Sequence, residues 1–293
     1  MRVIVNMACG LANRMFQYSY YLYLRQAGYD AWVDYYRTAK LKHEHVRWNE
    51  IFPHAPIRQA AAWEVLRTGG GADLLSKIRR RYLGKTCRIL FMPSAFDALL
   101  PRKDERGGGP LYVNGVFQNA GMVEQVREQV QAAFAFVPFT DKRNIRLQQE
   151  MQSCQSVAIH VRKGNDYRTR SWYAGTCPAE YYRKAVALLR ERLGEPRFYV
   201  FTDNPDWVRA NFSDFAYTLV DGNPTSGPGS HFDMQLMSSC RHNIISNSTY
   251  SWWGAFLNPH PGKSVVLPAV WFNPESCEEY TSGRVCGNGW LPL

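Results

Sequence analysis

A chain of 293 residues with 45% hydrophobic and 14% aromatic residues has room for two domains and enough apolar mass to bury a core, which excludes an intrinsically disordered protein. The formal net charge of +10 suits nucleic acid, an anionic membrane face or a phosphate-bearing small molecule, and by itself it chooses none of them. Seven cysteines stand without C-x-x-C pairs or zinc spacing, no apolar run reaches the roughly 18 residues of a membrane span, and no signal peptide precedes the strand-like start Met1-Arg2-Val3-Ile4-Val5, so the expected location is the cytoplasm, with peripheral contact on an anionic inner membrane face compatible with the charge.

Residues 2–7 form an apolar, β-branched run, followed by the turn Ala8-Cys9-Gly10-Leu11-Ala12-Asn13 and a periodic segment that carries Phe16, Tyr20, Tyr23 and Ala27 up to Gly28. The pattern predicts strand, tight turn and helix, with Gly28 as the stop. Such a turn brings backbone N–H groups near a ligand, but it lacks both G-x-G-x-x-G and the P-loop lysine, and an ordinary strand-to-helix turn would carry the same residues. Residues 31–35 read as a second strand. His43 and His45 lack a third ligand at a recognisable spacing and read as a polar loop rather than a metal pair. Helices are predicted over 57–71, 72–83 and 120–136, with a short strand over 111–114. The second of these helices carries Lys77, Arg79, Arg80 and Arg81 and reads as a solvated basic face. A nucleic-acid surface would need aromatic residues among those cations, and the helix has none before Tyr82.

Pro138-Phe139-Thr140-Asp141-Lys142 is the predicted break between an N-terminal domain, 1–140, and a C-terminal domain, 141–293. Beyond it strands at 156–161, 198–202, 217–220, 243–246 and 264–267 alternate with helices at 178–193, 205–212, 231–240 and 250–257. That alternation predicts right-handed βαβ crossovers and a parallel sheet with helices on both faces. His160, Arg162 and Asp166 follow the first of these strands, Asp203 and Asn204 the second, Asp221 and Asn223 the third, and Asn247, Ser248 and Thr249 the fourth. All then stand at one edge of the sheet, where open α/β folds bind ligands. Ser248 or Thr249 caps a helix, and the same helix start offers N–H groups to a phosphate, with Arg162 on a neighbouring strand as a second grip.

Three stretches resemble one family. Gly10-Leu11-Ala12-Asn13-Arg14-Met15-Phe16-Gln17-Tyr18, then His160-Val161-Arg162-Lys163-Gly164-Asn165-Asp166-Tyr167, and then the segment from Asp233 through Asn243-Ile244-Ile245-Ser246-Asn247-Ser248-Thr249-Tyr250-Ser251-Trp252-Trp253 are similar to the α-1,2-fucosyltransferases of glycosyltransferase family 11. The resemblance spans nearly the whole chain. It implies a GT-B-like fold of two Rossmann-like domains with a cleft between them, the N-terminal one on the acceptor side and the C-terminal one binding GDP-fucose. It implies inverting transfer of L-fucose to a β-galactoside, with no metal or other cofactor, while the basic helix, with no aromatic residue before Tyr82, already speaks against a nucleic acid partner.

Residue by residue, the resemblance places Arg162 on the donor diphosphate, Gly10 and Asn13 at the same cleft, and Asn247, Ser248 and Thr249 near phosphate. Asp166 is either the base that takes the acceptor proton or a holder of Arg162. His160 either binds a ribose or phosphate oxygen or orients its loop; Asp203 and Asp233 are candidates for hydroxyl or guanine contacts, with Asp233 equally suited to start a helix. Trp252 and Trp253 read as packing. Two departures stand out. The family's usual Gly-Gly-Leu-Gly-Asn-Gln-Met-Phe is here Cys9-Gly10-Leu11-Ala12-Asn13-Arg14-Met15-Phe16, and Asn165 holds the place where the acid of His-x-Arg-Arg-Gly-Asp stands, with Asp166 one residue later. Other readings of the same residues are a transferase for another GDP-sugar or acceptor, and a carbohydrate- or nucleotide-binding protein without catalysis. Acceptor identity and oligomeric state are not written in the sequence.

Overall fold

The computed structural model describes residues 1–35, 48–71, 73–102, 109–164, 167, 169–276 and 282–293. His43, His45 and Asp166 lie outside the described residues. The chain divides into two units, Met1–Ala135 and Phe136–Leu293. The division precedes the expected break because Phe136 stacks on His231 at 6.1 Å, Phe139 meets Phe232 edge-on at 5.5 Å, and Val137 O accepts from Gln235 Nε2 at 2.9 Å. The stretch around Pro138 is thus anchored to the second unit.

In the first unit β1 (Arg2–Asn6), β2 (Asp30–Asp34), β3 (Ile89–Phe91) and β4 (Leu111–Asn114) form a parallel sheet of order β2-β1-β4-β3. Val3, Ile4 and Val5 of β1 are all buried, as a strand covered on both faces requires. The helix Leu11–Gln26 ends at Gly28, whose φ of +81° favours glycine, while Tyr29 N–H closes the end on Leu24 O at 3.0 Å. The helix expected over 120–136 is two, Ala120–Gln125 and Arg127–Ala133, because the buried Val126 between them leaves helical geometry at φ −120° and ψ 23°. The helix expected over 57–71 shortens to Ala62–Thr68, ended by Gly69 at φ +76°.

In the second unit β5 (Ser156–Val161), β6 (Arg197–Thr202), β7 (Tyr217–Val220), β8 (His242–Ile244), β9 (Val265–Leu267) and β10 (Leu291–Pro292) form a parallel sheet of order β10-β9-β8-β5-β6-β7. The chain starts in the middle at β5, steps outward through β6 and β7, and returns to β8 on the other side. This is the Rossmann order, and its reversal point lies between β5 and β8. Val157, Ile159 and Val161 pack with Tyr182, Ala185 and Leu189 of the helix Ala179–Leu193 and with Val208 of the helix Pro205–Asn211. On the opposite face Tyr199 hydroxyl bonds Glu150 of the helix Lys142–Ser153 at 2.8 Å, and Asn243 Nδ2 donates to Met237 O of the helix Phe232–Ser239 at 2.9 Å. Helices therefore cover both faces, as expected. Trp252 and Trp253 are fully buried in the helix Thr249–Leu257, and Trp252 Nε1 donates to Val285 O at 2.6 Å, so both are packing residues. No helix among the described residues is long and apolar enough to cross a membrane.

Candidate active site

The site is built from the carboxyl ends of β5 and β8, at the reversal point. His160 projects from β5 away from the Val157, Ile159 and Val161 face, and its Nδ1 lies 2.8 Å from Ser246 Oγ just beyond β8. Burial, and then the charge of Arg162, push the imidazole down to about 3. A ring held neutral so firmly is a hydrogen-bonding group at ordinary pH, not a proton acceptor of useful strength.

Arg162 follows the last residue of β5. Its guanidinium lies over the Tyr173 ring, 4.8 Å from the centroid, and Nη1 reaches Tyr173 hydroxyl at 3.4 Å. Tyr173 in turn stacks on Tyr167 at 5.7 Å and 4° between planes. A guanidinium is planar by delocalisation and presents its N–H groups as a fork that suits paired bonds to phosphate oxygens, and an aromatic ring beneath it restricts its orientation. Lys163 points the other way. Its ammonium is buried against Tyr167 hydroxyl at 2.8 Å and Thr176 O at 3.0 Å, and burial lowers its pKa to about 8. It is a strut of the loop rather than a second anion grip.

At β8 the residues Ser246–Thr249 split into two roles. Asn247 is turned inward: Nδ2 donates to Thr176 Oγ1 and Trp271 O, both at 3.0 Å, and Oδ1 accepts from Cys177 Sγ at 3.4 Å. The expected phosphate contact by its side chain is replaced by this internal clamp, since every polar atom of the amide is engaged. Ser248 caps the helix Thr249–Leu257 by accepting from Tyr250 N–H at 3.3 Å, and its own N–H is taken by Ser246 O at 2.8 Å. Its backbone therefore cannot serve as the expected phosphate donor. Thr249, at the first helical position, is half-buried and presents an N–H for which a helix has no internal acceptor.

The acids are distributed differently. Asp203, at the end of β6, accepts Lys163 N–H at 2.7 Å, while Asn204 Nδ2 donates to Lys163 O at 2.9 Å. A Cβ on Gly164 would come within 2.5 Å of the Asp203 carboxylate, so a glycine is needed for this close approach. Asp203 thus shapes the loop that carries Arg162. Asp233 accepts from Asn223 Nδ2 at 2.7 Å, and Asn223 is bonded on to Asn144 at 2.9 Å; burial raises the Asp233 pKa. Among the described residues no three His, Cys, Asp or Glu side chains converge as a metal site.

In the first unit the turn after β1 is held by Gln17, which accepts Ala8 N–H at 2.8 Å and donates to Gly115 O at 2.9 Å. Gly10 is exposed, has an ordinary φ of −67°, and has open space where a Cβ would stand. Asn13 is half-buried, with Oδ1 accepting from Gln118 Nε2 at 3.2 Å. Cys9 takes φ +73°, the left-handed region where the family's glycine would be unstrained.

Two site residues escaped sequence reasoning. Tyr173 sits in the one-turn helix Ser171–Tyr173, too short to show a period. Ser246 meets His160 because β5 pairs with β8, with Val157 opposite His242 and Ile159 opposite Ile244. Nothing in the sequence states that pairing.

Comparison with known proteins bears on this geometry. The model of glycosyl transferase family 11 matches residues 107–281. The chain is 34% identical over 163 residues to an O-antigen biosynthesis glycosyltransferase, WbnK, of Escherichia coli, a match that covers 53% of this chain and 53% of that protein. It is 25% identical over 300 residues to an alpha-1,2-colitosyltransferase of Escherichia coli, covering 99% of this chain and 98% of that one. With a galactoside alpha-(1,2)-fucosyltransferase 2 of Rattus norvegicus it shares 28% identity over 162 residues, 52% of this chain and 40% of the relative.

Proposed function

Because the chain belongs to glycosyl transferase family 11, we propose that it transfers L-fucose with inversion from GDP-β-L-fucose to the 2-hydroxyl of a terminal β-galactose, forming an α-1,2 linkage without a metal. The observation that carries the reading is the pairing of Arg162, stacked on Tyr173, with the helix start at Thr249, one on each side of the strand reversal. In an in-line displacement the acceptor hydroxyl attacks one face of the sugar carbon while GDP departs from the other, and negative charge grows on the β-phosphate. A fixed guanidinium and a helix N-terminus meet that charge without rearrangement. Neutral His160 supplies a hydrogen bond to a ribose or phosphate oxygen. Asp166 takes the hydroxyl proton as the bond forms; substantial activity in Asp166→Asn would remove it from that role. In this reading residues 141–293 hold GDP-fucose, Gly10 and Asn13 are further donor-binding residues, and the N-terminal domain chooses the acceptor. The relatives' names support the linkage, one acting on galactosides with fucose and another transferring colitose.

The colitosyl relative aligns over nearly the full length of this chain, which favours a second donor strongly enough to test. The deciding experiment is a panel of β-galactosides with GDP-fucose and, separately, a nucleotide-activated colitose, each with and without EDTA. Fucosylated product that persists in EDTA and carries the sugar on the 2-hydroxyl supports the proposal. Turnover with colitose alone, or loss of activity on chelation, overturns its donor or its metal independence.

A further inference from the structure

The basic helix Leu74–Leu83 is built inside out. Its inner side is polar: Ser76 is fully buried and donates its N–H and its hydroxyl to the N-cap Asp73, while Arg80 Nη1 donates to the carbonyls of Gly69 and Gly71. Its outer side is apolar. Leu74 is 71% exposed, Leu75 61%, Ile78 44% and Tyr82 73%. At about 100° per residue these four fall in one sector of about 100°, bordered by Arg81 on one side and Arg79 on the other. A globular protein ordinarily turns such a stripe inward; exposed and rimmed by cations, it has the form of a helix that lies in a lipid interface.

Charge identifies the occupant. From Leu74 to Phe96 the chain has six cations, Lys77, Arg79, Arg80, Arg81, Lys85 and Arg88, and no Asp or Glu. Lys77, Arg81 and Lys85 are exposed, and among the described residues none makes an ion pair. A second copy in a two-fold contact would set this patch against itself, cation against cation. Nucleic acid would meet the cations but leave the leucine and isoleucine sector unused. An anionic bilayer satisfies both, taking the apolar side chains below the headgroups and the arginines at their level.

We propose that this helix docks the protein on an anionic lipid surface, with Leu74, Leu75, Ile78 and Tyr82 inserted and Lys77, Arg81 and Lys85 at the phosphates. The proposal is independent of the donor assigned above, because it concerns a surface of the first unit and not the site on the second.

The test is sedimentation of the full chain with vesicles of phosphatidylcholine alone and of phosphatidylcholine with phosphatidylglycerol, at low and high salt. Wild-type protein is expected to pellet with the anionic vesicles, and less so in high salt or with neutral lipid. Ile78→Glu should lower partitioning about tenfold or more. Lys77→Glu with Arg81→Glu should lower it by roughly thirtyfold or more. Both changes are on the exposed surface, so circular dichroism, melting and activity on a soluble galactoside should match wild type. Equal partitioning of wild type and both variants overturns the proposal. So does a wild-type dimer, seen without vesicles by analytical centrifugation and abolished by Ile78→Glu, since that would make a second copy the occupant.

Discussion

Arg162 lies over the Tyr173 ring, 4.8 Å from its centroid, a contact that restricts where its planar guanidinium can point. In the proposed reading Arg162 donates to the charge that develops on the β-phosphate, and removal of one such donor typically costs about 2.7 to 4 kcal/mol. Arg162→Ala is therefore expected to lower kcat by roughly 100- to 1,000-fold with an unchanged melting temperature. Arg162→Lys, which keeps the charge and loses the plane, should fall between the two. Near-normal turnover in the alanine variant would remove Arg162 from the diphosphate. The second residue-scale expectation concerns Cys9, which holds φ +73° at a position where a side chain is strained. Cys9→Gly should relieve about 1 kcal/mol of that strain, less what glycine adds to the freedom of the unfolded chain, so urea unfolding should show a gain or no change. A loss in the midpoint would show that the thiol packs better than its exposure implies. The place of Arg162 at a strand end was legible because charge after an apolar run is conspicuous. Tyr173 was not, because its contact is made by a single turn with no pattern to read.

At the scale of elements, the loop after β8 is held to the segment before the helix Ala179–Leu193 by one side chain. Asn247 bonds Thr176, Trp271 and Cys177 together, and deletion of its amide takes that partner from the Trp271 carbonyl and the Cys177 thiol, while Thr176 Oγ1 keeps Tyr173 O and Tyr167. Asn247→Ala should cost about 1 to 3 kcal/mol in stability, read from the denaturant midpoint. A large rise in KM for the donor with unaltered stability would instead restore Asn247 to the phosphate. The long elements of the second unit were readable because buried parallel strands are unbroken apolar runs, as in Val157-Ala158-Ile159, punctuated by Gly and Pro. The short ones, Ile89–Phe91 and Leu291–Pro292, were missed because two or three residues carry no period. The basic helix shows a different limit. Its composition announced a charged face, but which side packs was decided by the bonds of Arg80 to two glycine carbonyls, a tertiary fact.

The second unit carries histidines, His160 half-buried and His231 buried, that are neutral when folded. His160 is pushed down to about 3, and His231 to about 4 by burial, from an ordinary 6.5. Above pH 6.5 both are neutral folded and unfolded, and stability does not depend on them. As pH falls below that value the unfolded chain takes up protons that the folded one refuses, so stability drops by about 1.4 kcal/mol per pH unit for each ring until the folded values are reached. His231→Phe should therefore flatten the pH dependence of the urea midpoint between neutrality and the folded value by one proton's worth. A slope equal to wild type would mean that His231 is protonated in the native state. The strand order was the large-scale feature that pattern could not supply, since alternation fixes the parallel sense and not the sequence of neighbours. It has a consequence during synthesis. The central strand β5 has as its two neighbours β6, some forty residues on, and β8, whose His242 pairs with Val157 across eighty-five residues. While the ribosome is still making the stretch between, one edge of this largely apolar strand has no partner. Such non-local closure slows folding and leaves a sticky edge open, so the yield of native protein should depend on how slowly, and at what temperature, the second half of the chain is allowed to emerge.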